Sequence, residues 1–158
     1  MKDLRNRKPT PKSHLLLIPT MSLVDQARLL SDYERAQLGL FDLGILQVTS
    51  TAWMELFEAM IQVDGQEPQS VGFAGVSKQP HSQNATLECL YVNRDMRGQR
   101  IGNSIVEAML HKAFTAWGCR RFGTQAYDIT DSHGIYTRLM KLEGRLRGVG
   151  FYNGKAMD

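Results

Sequence analysis

The chain has 158 residues, of which 42% are hydrophobic and 22% charged, and its formal net charge is +3. This composition is ordinary for a globular protein, and the length allows one domain with a sizeable core. No apolar stretch approaches the roughly 20 residues that span a bilayer, so we expect no membrane association. The two cysteines lack metal-type spacing, which indicates free thiols in a reducing, cytoplasmic environment.

Residues 1–13 differ from the rest in charge and in backbone character. Two prolines oppose regular structure, and five basic residues stand against one acidic residue: Lys2, Arg5, Arg7, Lys8, Lys12 and Asp3. We interpret this segment as a disordered basic tail and not as a secretory signal. Nucleic-acid binding by the tail is the weaker alternative, because no aromatic side chains are interleaved. Residues 14–158 then form a single domain.

The first half of this domain predicts strands around one helical segment. Residues 14–18 (HLLLI) read as a strand, and residues 21–43 have helical spacing. Residues 45–63 are ambiguous, because their apolar side chains fit a helical face while their end also fits a strand. Residues 71–76 alternate as a strand, and residues 86–92 predict a strand buried on both faces.

The second half predicts alternating helices and strands. Apolar residues at i, i+4 spacing favour a helix from about residue 101 that ends near Gly118. A strand over residues 121–127 follows it. A final strand covers residues 146–152, before an Asn153-Gly154 turn.

A second helix lies between these two strands. We expect it to begin at Asp131 or Ser132 and to end before Gly144. Its apolar face would carry Ile135, Leu139 and Leu142.

The turn after the strand at residues 86–92 combines arginines with glycines at the start of a helix. It holds Arg94, Arg97, Gly98, Arg100 and Gly102. Backbone N–H groups at a helix N-terminus, the helix dipole and missing Cβ atoms together favour close approach of an anion. The expected ligand is a phosphate or pyrophosphate.

These residues resemble the acetyl-CoA signature of the GCN5-related N-acetyltransferases (GNAT family). In that signature a strand ending in L-x-V precedes Q/R-x-x-G-x-G/A. Here Leu90 and Val92 end the strand, Arg97 and Gly102 hold the outer motif positions, and Arg100 replaces the middle glycine. The resemblance implies an α/β fold with a mixed, mostly antiparallel central sheet, a splayed parallel strand pair and flanking helices.

The resemblance also implies acetyl-CoA as co-substrate and no metal. Its pantetheine arm would pair with the main chain of Leu90, Tyr91 and Val92. Its pyrophosphate would bind the turn, formed by Arg97, Gly98, Gln99, Arg100, Ile101, Gly102 and Asn103. Arg100 would either crowd the pyrophosphate or contact a phosphate, and we favour the contact.

Acyl transfer to an amine needs a proton acceptor for the amine and a donor for the leaving thiolate. Glu88 is the candidate base: strand alternation places it on the face of Leu90 and Val92, where burial would raise its pKa. A structural pairing of Glu88 with an arginine is equally open. Tyr136 is the candidate acid, although counting back from Gly144 puts Met140 at the family's usual tyrosine. The alternatives are that Tyr136 only packs and that Tyr127 or solvent supplies the proton.

The sequence therefore predicts an N-acetyltransferase that moves an acetyl group to a primary amine by direct attack in a ternary complex. The acceptor would be a small molecule or a protein, and a homodimer stays open. The alternative is a catalytically degenerate binding or assembly module of the same fold, such as phages encode. A nucleic-acid-binding protein that uses the basic tail and turn arginines is the third hypothesis.

Overall fold

The computed structural model describes residues 13–20, 54–79, 81–126, 133–145, 147, 150–152 and 155–157. The tail, the helix expected at 21–43, the Asn153-Gly154 turn and Tyr127 lie outside these residues. Within them the chain forms, in order, β1 (Ser13–Pro19), β2 (Met54–Val63), β3 (Gln69–Gln79), β4 (Asn84–Val92), α1 (Ile101–Thr115), β5 (Arg121–Thr124), α2 (His133–Leu139), β6 (Gly150–Tyr152) and β7 (Lys155–Met157).

Strands β1 to β5 form one sheet in sequence order. The first three pairings are antiparallel and the β4–β5 pairing is parallel. Strands β6 and β7 pair with each other in a separate two-stranded sheet. The predicted mixed sheet with flanking helices is thus confirmed, and none of the described helices is long and apolar enough to cross a bilayer.

Two apolar clusters lie on opposite faces of the sheet. The helix-side core packs under α1 and includes Phe57, Leu87, Ile105 and Met109 among its buried residues. The far-side cluster, on the other face, consists of Leu56, Phe73 and Cys89, with Met54 and Tyr91 packed against it. Burial on both faces stabilises the sheet from two sides.

This two-sided burial explains the described part of the ambiguous segment 45–63, which is the strand β2 (Met54–Val63); residues 45–53 lie outside the described residues. Leu56 and Phe57 are adjacent in β2 and both buried, one in each cluster. Two neighbouring apolar residues therefore mimic a helical face although the segment is a strand.

Helix α1 matches its predicted span closely, whereas α2 does not. Helix α2 ends at Leu139, five residues before Gly144, and Leu142 is 64% exposed. The prediction that Leu142 shares a buried face with Ile135 and that Gly144 ends this helix is wrong. No helix-breaking residue separates Leu139 from Gly144, so the periodicity gives no sign of the earlier end.

Strand β5 is shorter than expected, because its strand conformation ends at Thr124 and not at residue 127. Of the strand expected at residues 146–152, the described strand is β6 (Gly150–Tyr152), and residues 146, 148 and 149 lie outside the described part of the chain. The early end of β5 has a direct consequence for the candidate site.

Candidate functional site

Strands β4 and β5 run together for four residue pairs and then part. Their register runs from Asn84 opposite Arg121 to Leu87 opposite Thr124. At the last pair the Thr124 hydroxyl donates to the Leu87 carbonyl at 2.9 Å. Beyond Leu87, no described residue of β5 pairs with β4. This is the splayed parallel pair that the sequence predicted.

The parting leaves main-chain groups of β4 open at Leu90. The Asn93 amide donates to the Val71 carbonyl at 2.9 Å, which places residue 93 among those bonded to β3. In an antiparallel ladder such residues alternate, so Leu90 and Val92 direct their N–H and C=O groups away from β3. The Val92 carbonyl accepts a bond from Arg97 Nε at 3.1 Å. Leu90 is left with an amide and a carbonyl that can pair with an extended ligand.

The turn between β4 and α1 delivers the chain to a helix N-terminus without a side-chain cap. A short 3₁₀ turn (Arg94–Met96) leads through Gly98, with φ of +80°, to Arg100, with φ of +62°. Arg100 makes no capping bond, and the first turn of α1 has no acidic residue. The amides of Ile101, Gly102 and Asn103 have no partner within the helix. They form a site suited to an anion.

Gly98 and Gly102 serve different purposes. A Cβ at Gly98 would meet nothing within 4 Å, whereas a Cβ at Gly102 would lie 2.8 Å from Ile135 Cδ1. Gly102 is buried, and Val92 Cγ2 would be 3.6 Å from that Cβ. Gly102 therefore lies in close contact with α2 and β4, and a Cβ there would require the end of the Ile135 side chain to shift.

The turn arginines are not equivalent. Arg97 folds back over β4, since its guanidinium bonds the Val92 carbonyl and lies 5.7 Å from the Tyr91 ring centroid. Gln99 and Arg100 are exposed in the turn. Arg138, on α2, donates to Asn103 Oδ1 at 3.2 Å and so brings a cation to the first turn of α1. Sequence reasoning missed Arg138, because no spacing links it to the distant turn.

Glu88 lies where β4 parts from β5, but its surroundings differ from those expected. The β3–β4 register shifts there: Gly75 faces Cys89 and Val76 faces Leu87, so Glu88 is the extra residue of a β-bulge. Leu87 and Leu90 pack in the helix-side core, whereas Cys89 packs in the far-side cluster.

The bulge places Glu88 on the far side of the sheet, not on the face of Leu90 and Val92. Glu88 is exposed and accepts a hydrogen bond from Ser77 Oγ. The expected burial of this carboxylate is wrong, because strand alternation cannot reveal an inserted bulge residue. No salt bridge joins Glu88 to an arginine within the described residues.

Tyr136 lies in α2, which packs beside the start of α1. It is half-buried and contacts the helix-side core, as does Met140. The Met140 amide donates to the Tyr136 carbonyl at 2.8 Å. Tyr136 thus lies on the helix that carries Arg138 to the anion site.

The remaining groups that could react or bind a metal are the Cys89 thiol and clusters of His, Cys, Asp and Glu side chains. Burial raises the pKa of the Cys89 thiol from 9.0 to about 12, against a smaller opposing effect of a hydrogen bond with Gly75. This thiol is a packing residue of the far-side cluster. Across the described ranges, no three His, Cys, Asp or Glu side chains gather into a metal site.

A protein-family comparison identifies what this arrangement belongs to. Residues 29–141 match the family model "Acetyltransferase (GNAT) family". The chain belongs to the GNAT family of acetyltransferases. No curated protein matches it significantly.

Solved structures share the GNAT fold at low sequence identity. Bacillus subtilis YycN is 15% identical with a TM-score of 0.63, and the match covers 84% of this chain and 95% of YycN. A ribosomal-protein-alanine N-acetyltransferase from Brucella melitensis biovar Abortus 2308 is 19% identical with a TM-score of 0.61, covering 89% and 99%. The aminoglycoside acetyltransferase AAC(6')-Iy, solved with a CoA bisubstrate analogue, is 17% identical with a TM-score of 0.57, covering 92% and 99%.

Proposed function

We propose that this GNAT family member transfers an acetyl group from acetyl-CoA to a primary amine, by direct attack in a ternary complex in the cytoplasm. The observation that carries the proposal is the adjacency of two openings. Strand β4 loses its β5 partner beyond Leu87, and a few residues later the chain enters the uncapped N-terminus of α1. An extended, peptide-like arm that ends in a pyrophosphate fits this combination.

Each part of acetyl-CoA has a group of residues to bind it. The pantetheine amides pair with the main chain of β4 at Leu90 and at the Val92 amide, and Tyr91 lies between these two residues. The pyrophosphate accepts hydrogen bonds from the turn and from the first amides of α1, contributed by residues 97–103. Arg138 adds positive charge from α2. The proposal requires no metal.

The reaction moves one proton on each side of the acyl transfer. The acceptor nitrogen attacks the thioester carbonyl and loses a proton to the Glu88 carboxylate. The tetrahedral intermediate then collapses, the C–S bond breaks, and the thiolate takes a proton from the Tyr136 hydroxyl. Glu88 is exposed at the point where the strands part, so a bound amine can reach it from solvent.

The acceptor class is an amine of a small molecule or a protein. Structural neighbours include a ribosomal-protein-alanine N-acetyltransferase and an aminoglycoside acetyltransferase. The rival hypothesis is the catalytically degenerate module. It is motivated by two departures from the family pattern: Arg100 stands at the usual glycine position, and Met140 stands at the usual tyrosine position.

Calorimetry with acetyl-CoA separates these hypotheses. Gly98→Val should abolish binding by distorting the turn, whereas Gly118→Val should retain it. Both glycines have positive φ, at +80° and +63°, and open space around their Cβ positions, so the backbone penalty is matched. Absence of binding to the wild-type protein would favour the module.

The base is tested by kinetics on the same preparations. Glu88→Gln keeps the shape of the side chain and removes the proton acceptor, so kcat should fall by roughly a hundredfold with acetyl-CoA affinity unchanged. Retention of wild-type kcat in the Gln variant would make Glu88 a structural residue.

A further inference from the structure

The Glu88 carboxylate is held by one side chain from the neighbouring strand. Ser77 Oγ on β3 donates a hydrogen bond to Glu88 Oε1. Ser77 faces Thr86 in the register, one pair away from the bulge. Its neighbour Val76 packs in the helix-side core, which places Ser77 on the far side together with Glu88.

The bulge makes this contact important for orientation. Glu88 is the extra residue between Leu87 and Cys89, so no residue of β3 stands opposite it in the register. A bulge residue can re-aim its side chain, and an exposed carboxylate has several accessible rotamers. The Ser77 hydroxyl fixes one carboxylate oxygen, which leaves Oε2 of the same group for an incoming ligand.

We propose that Ser77 is a positioning residue for Glu88 in the acyl transfer, an inference that rests on the proposed function. The hydroxyl, on the β3 side of β4, fixes the carboxylate on the far side of the sheet, next to the level at which β4 and β5 part, and there we expect the amine to lose its proton. Loss of the donor would leave the carboxylate free to rotate away. We expect this loss of orientation to lower the rate, because small displacements of a catalytic group can cost as much as a hundredfold in rate.

The structure supplies a matched control on the same strand. Ser70 Oγ, also on β3, donates to Glu58 Oε1 at 2.6 Å. Ser70→Ala therefore removes the same kind of serine–carboxylate bond from the same sheet without touching Glu88.

The test is steady-state kinetics with acetyl-CoA and an accepted amine. Ser77→Ala should lower kcat roughly tenfold with the KM for acetyl-CoA unchanged, and Ser77→Thr, which keeps the hydroxyl, should restore most of the loss. Ser70→Ala should stay within about twofold of wild type. If Ser77→Ala matches wild type while Glu88→Gln is impaired, the inference fails and the proposed base stands.

A double-mutant cycle distinguishes positioning from a general structural effect. If Ser77 acts through Glu88, adding Ser77→Ala to Glu88→Gln should change kcat by less than about twofold. A full tenfold further loss in that background would overturn the inference. If Glu88→Gln itself keeps wild-type kcat, the proposed base fails first, and with it any positioning role of Ser77.

Discussion

Arg100 adopts a backbone conformation that glycine reaches more easily. Its φ and ψ of 62° and 14° lie in the left-handed region, which an L-residue with a Cβ occupies at a cost of about 1–2 kcal/mol. This position corresponds to the middle glycine of the family motif, so the usual glycine has a backbone explanation apart from room for the phosphate. Arg100 holds this conformation with an exposed side chain, which the proposed phosphate contact would require.

Arg100→Gly should therefore separate stability from binding. The variant should be more stable by about 0.5–1 kcal/mol, because relief of the left-handed strain exceeds the added chain entropy of glycine. Acetyl-CoA affinity should fall roughly tenfold or more, if the guanidinium contacts a phosphate as we favour. Thermal unfolding and calorimetry measure the two effects.

Gln83 provides the control for Arg100. It is the other described non-glycine residue with positive φ, at 54°, and it lies in the turn between β3 and β4. Gln83→Gly should give a similar gain in stability with unchanged affinity. Tighter binding by Arg100→Gly would instead show that Arg100 crowds the site and would support the degenerate module.

Residue-level prediction succeeded where the determining contact is local in sequence. The glycine and arginine pattern located the turn, since Gly98 and the start of α1 lie within a few residues of each other. It failed for Glu88, because a bulge arises from the register between two strands and not from the sequence of one.

At the level of elements, α1 and α2 meet where Gly102 faces Ile135. An added Cβ at Gly102 would approach Ile135 Cδ1 to 2.8 Å, closer than real contacts of this kind. The neighbouring bond from Arg138 to Asn103 at 3.2 Å depends on the same approach of the two helices. The contact at Gly102 thus lies next to the bond through which α2 would contribute to the proposed anion site.

A second-site substitution tests this contact directly. Gly102→Ala should lower the free energy of unfolding by no more than about 1 kcal/mol, because the end of Ile135 must shift while alanine favours the helix, and it should weaken acetyl-CoA binding. Ile135→Val removes the Cδ1 methyl, so the double variant should recover most of both losses. Chemical denaturation and calorimetry on the four proteins give the coupling energy. If the effects of Gly102→Ala and Ile135→Val are additive, the added Cβ at position 102 is not strained against Ile135.

The elements themselves were predictable to different degrees. Alternating strands such as β3 and the periodic helix α1 followed from side-chain spacing. The end of α2 did not, because no helix-breaking residue marks it in the sequence. The separate β6–β7 pairing was likewise invisible in the spacing.

At the scale of the whole molecule, the buried Cys89 makes the free energy of unfolding depend on pH under alkaline conditions. Its thiol belongs to the far-side cluster, and its pKa rises from 9.0 to about 12 because burial disfavours the thiolate. The unfolded chain therefore releases this proton first as pH rises above 9. Between pH 9 and 12 the free energy of unfolding should fall by up to about 1.4 kcal/mol per pH unit from this group.

Cys89→Ala should remove this contribution. Urea unfolding at pH 8 and pH 10 should show a smaller loss of stability in the variant than in wild type, by about 1 kcal/mol. Cys119→Ala, at a half-buried free thiol, is the control and should follow wild type. Parallel pH dependence of wild type and Cys89→Ala would show that the thiol ionises without penalty in the folded state.

The short parallel pairing of β4 with β5 also bears on aggregation. An open strand edge is a template for strands of other chains, and proteins protect such edges by keeping them short or by placing charge beside them. Here the pairing ends at Leu87, and Arg97 covers the Val92 carbonyl, so the open stretch centres on Leu90. The Leu90 amide and carbonyl and the Val92 amide make a short open edge, which we expect to be too short to recruit a foreign strand but long enough for one extended amide. A short opening of this kind would both admit the proposed ligand and limit self-association through this edge.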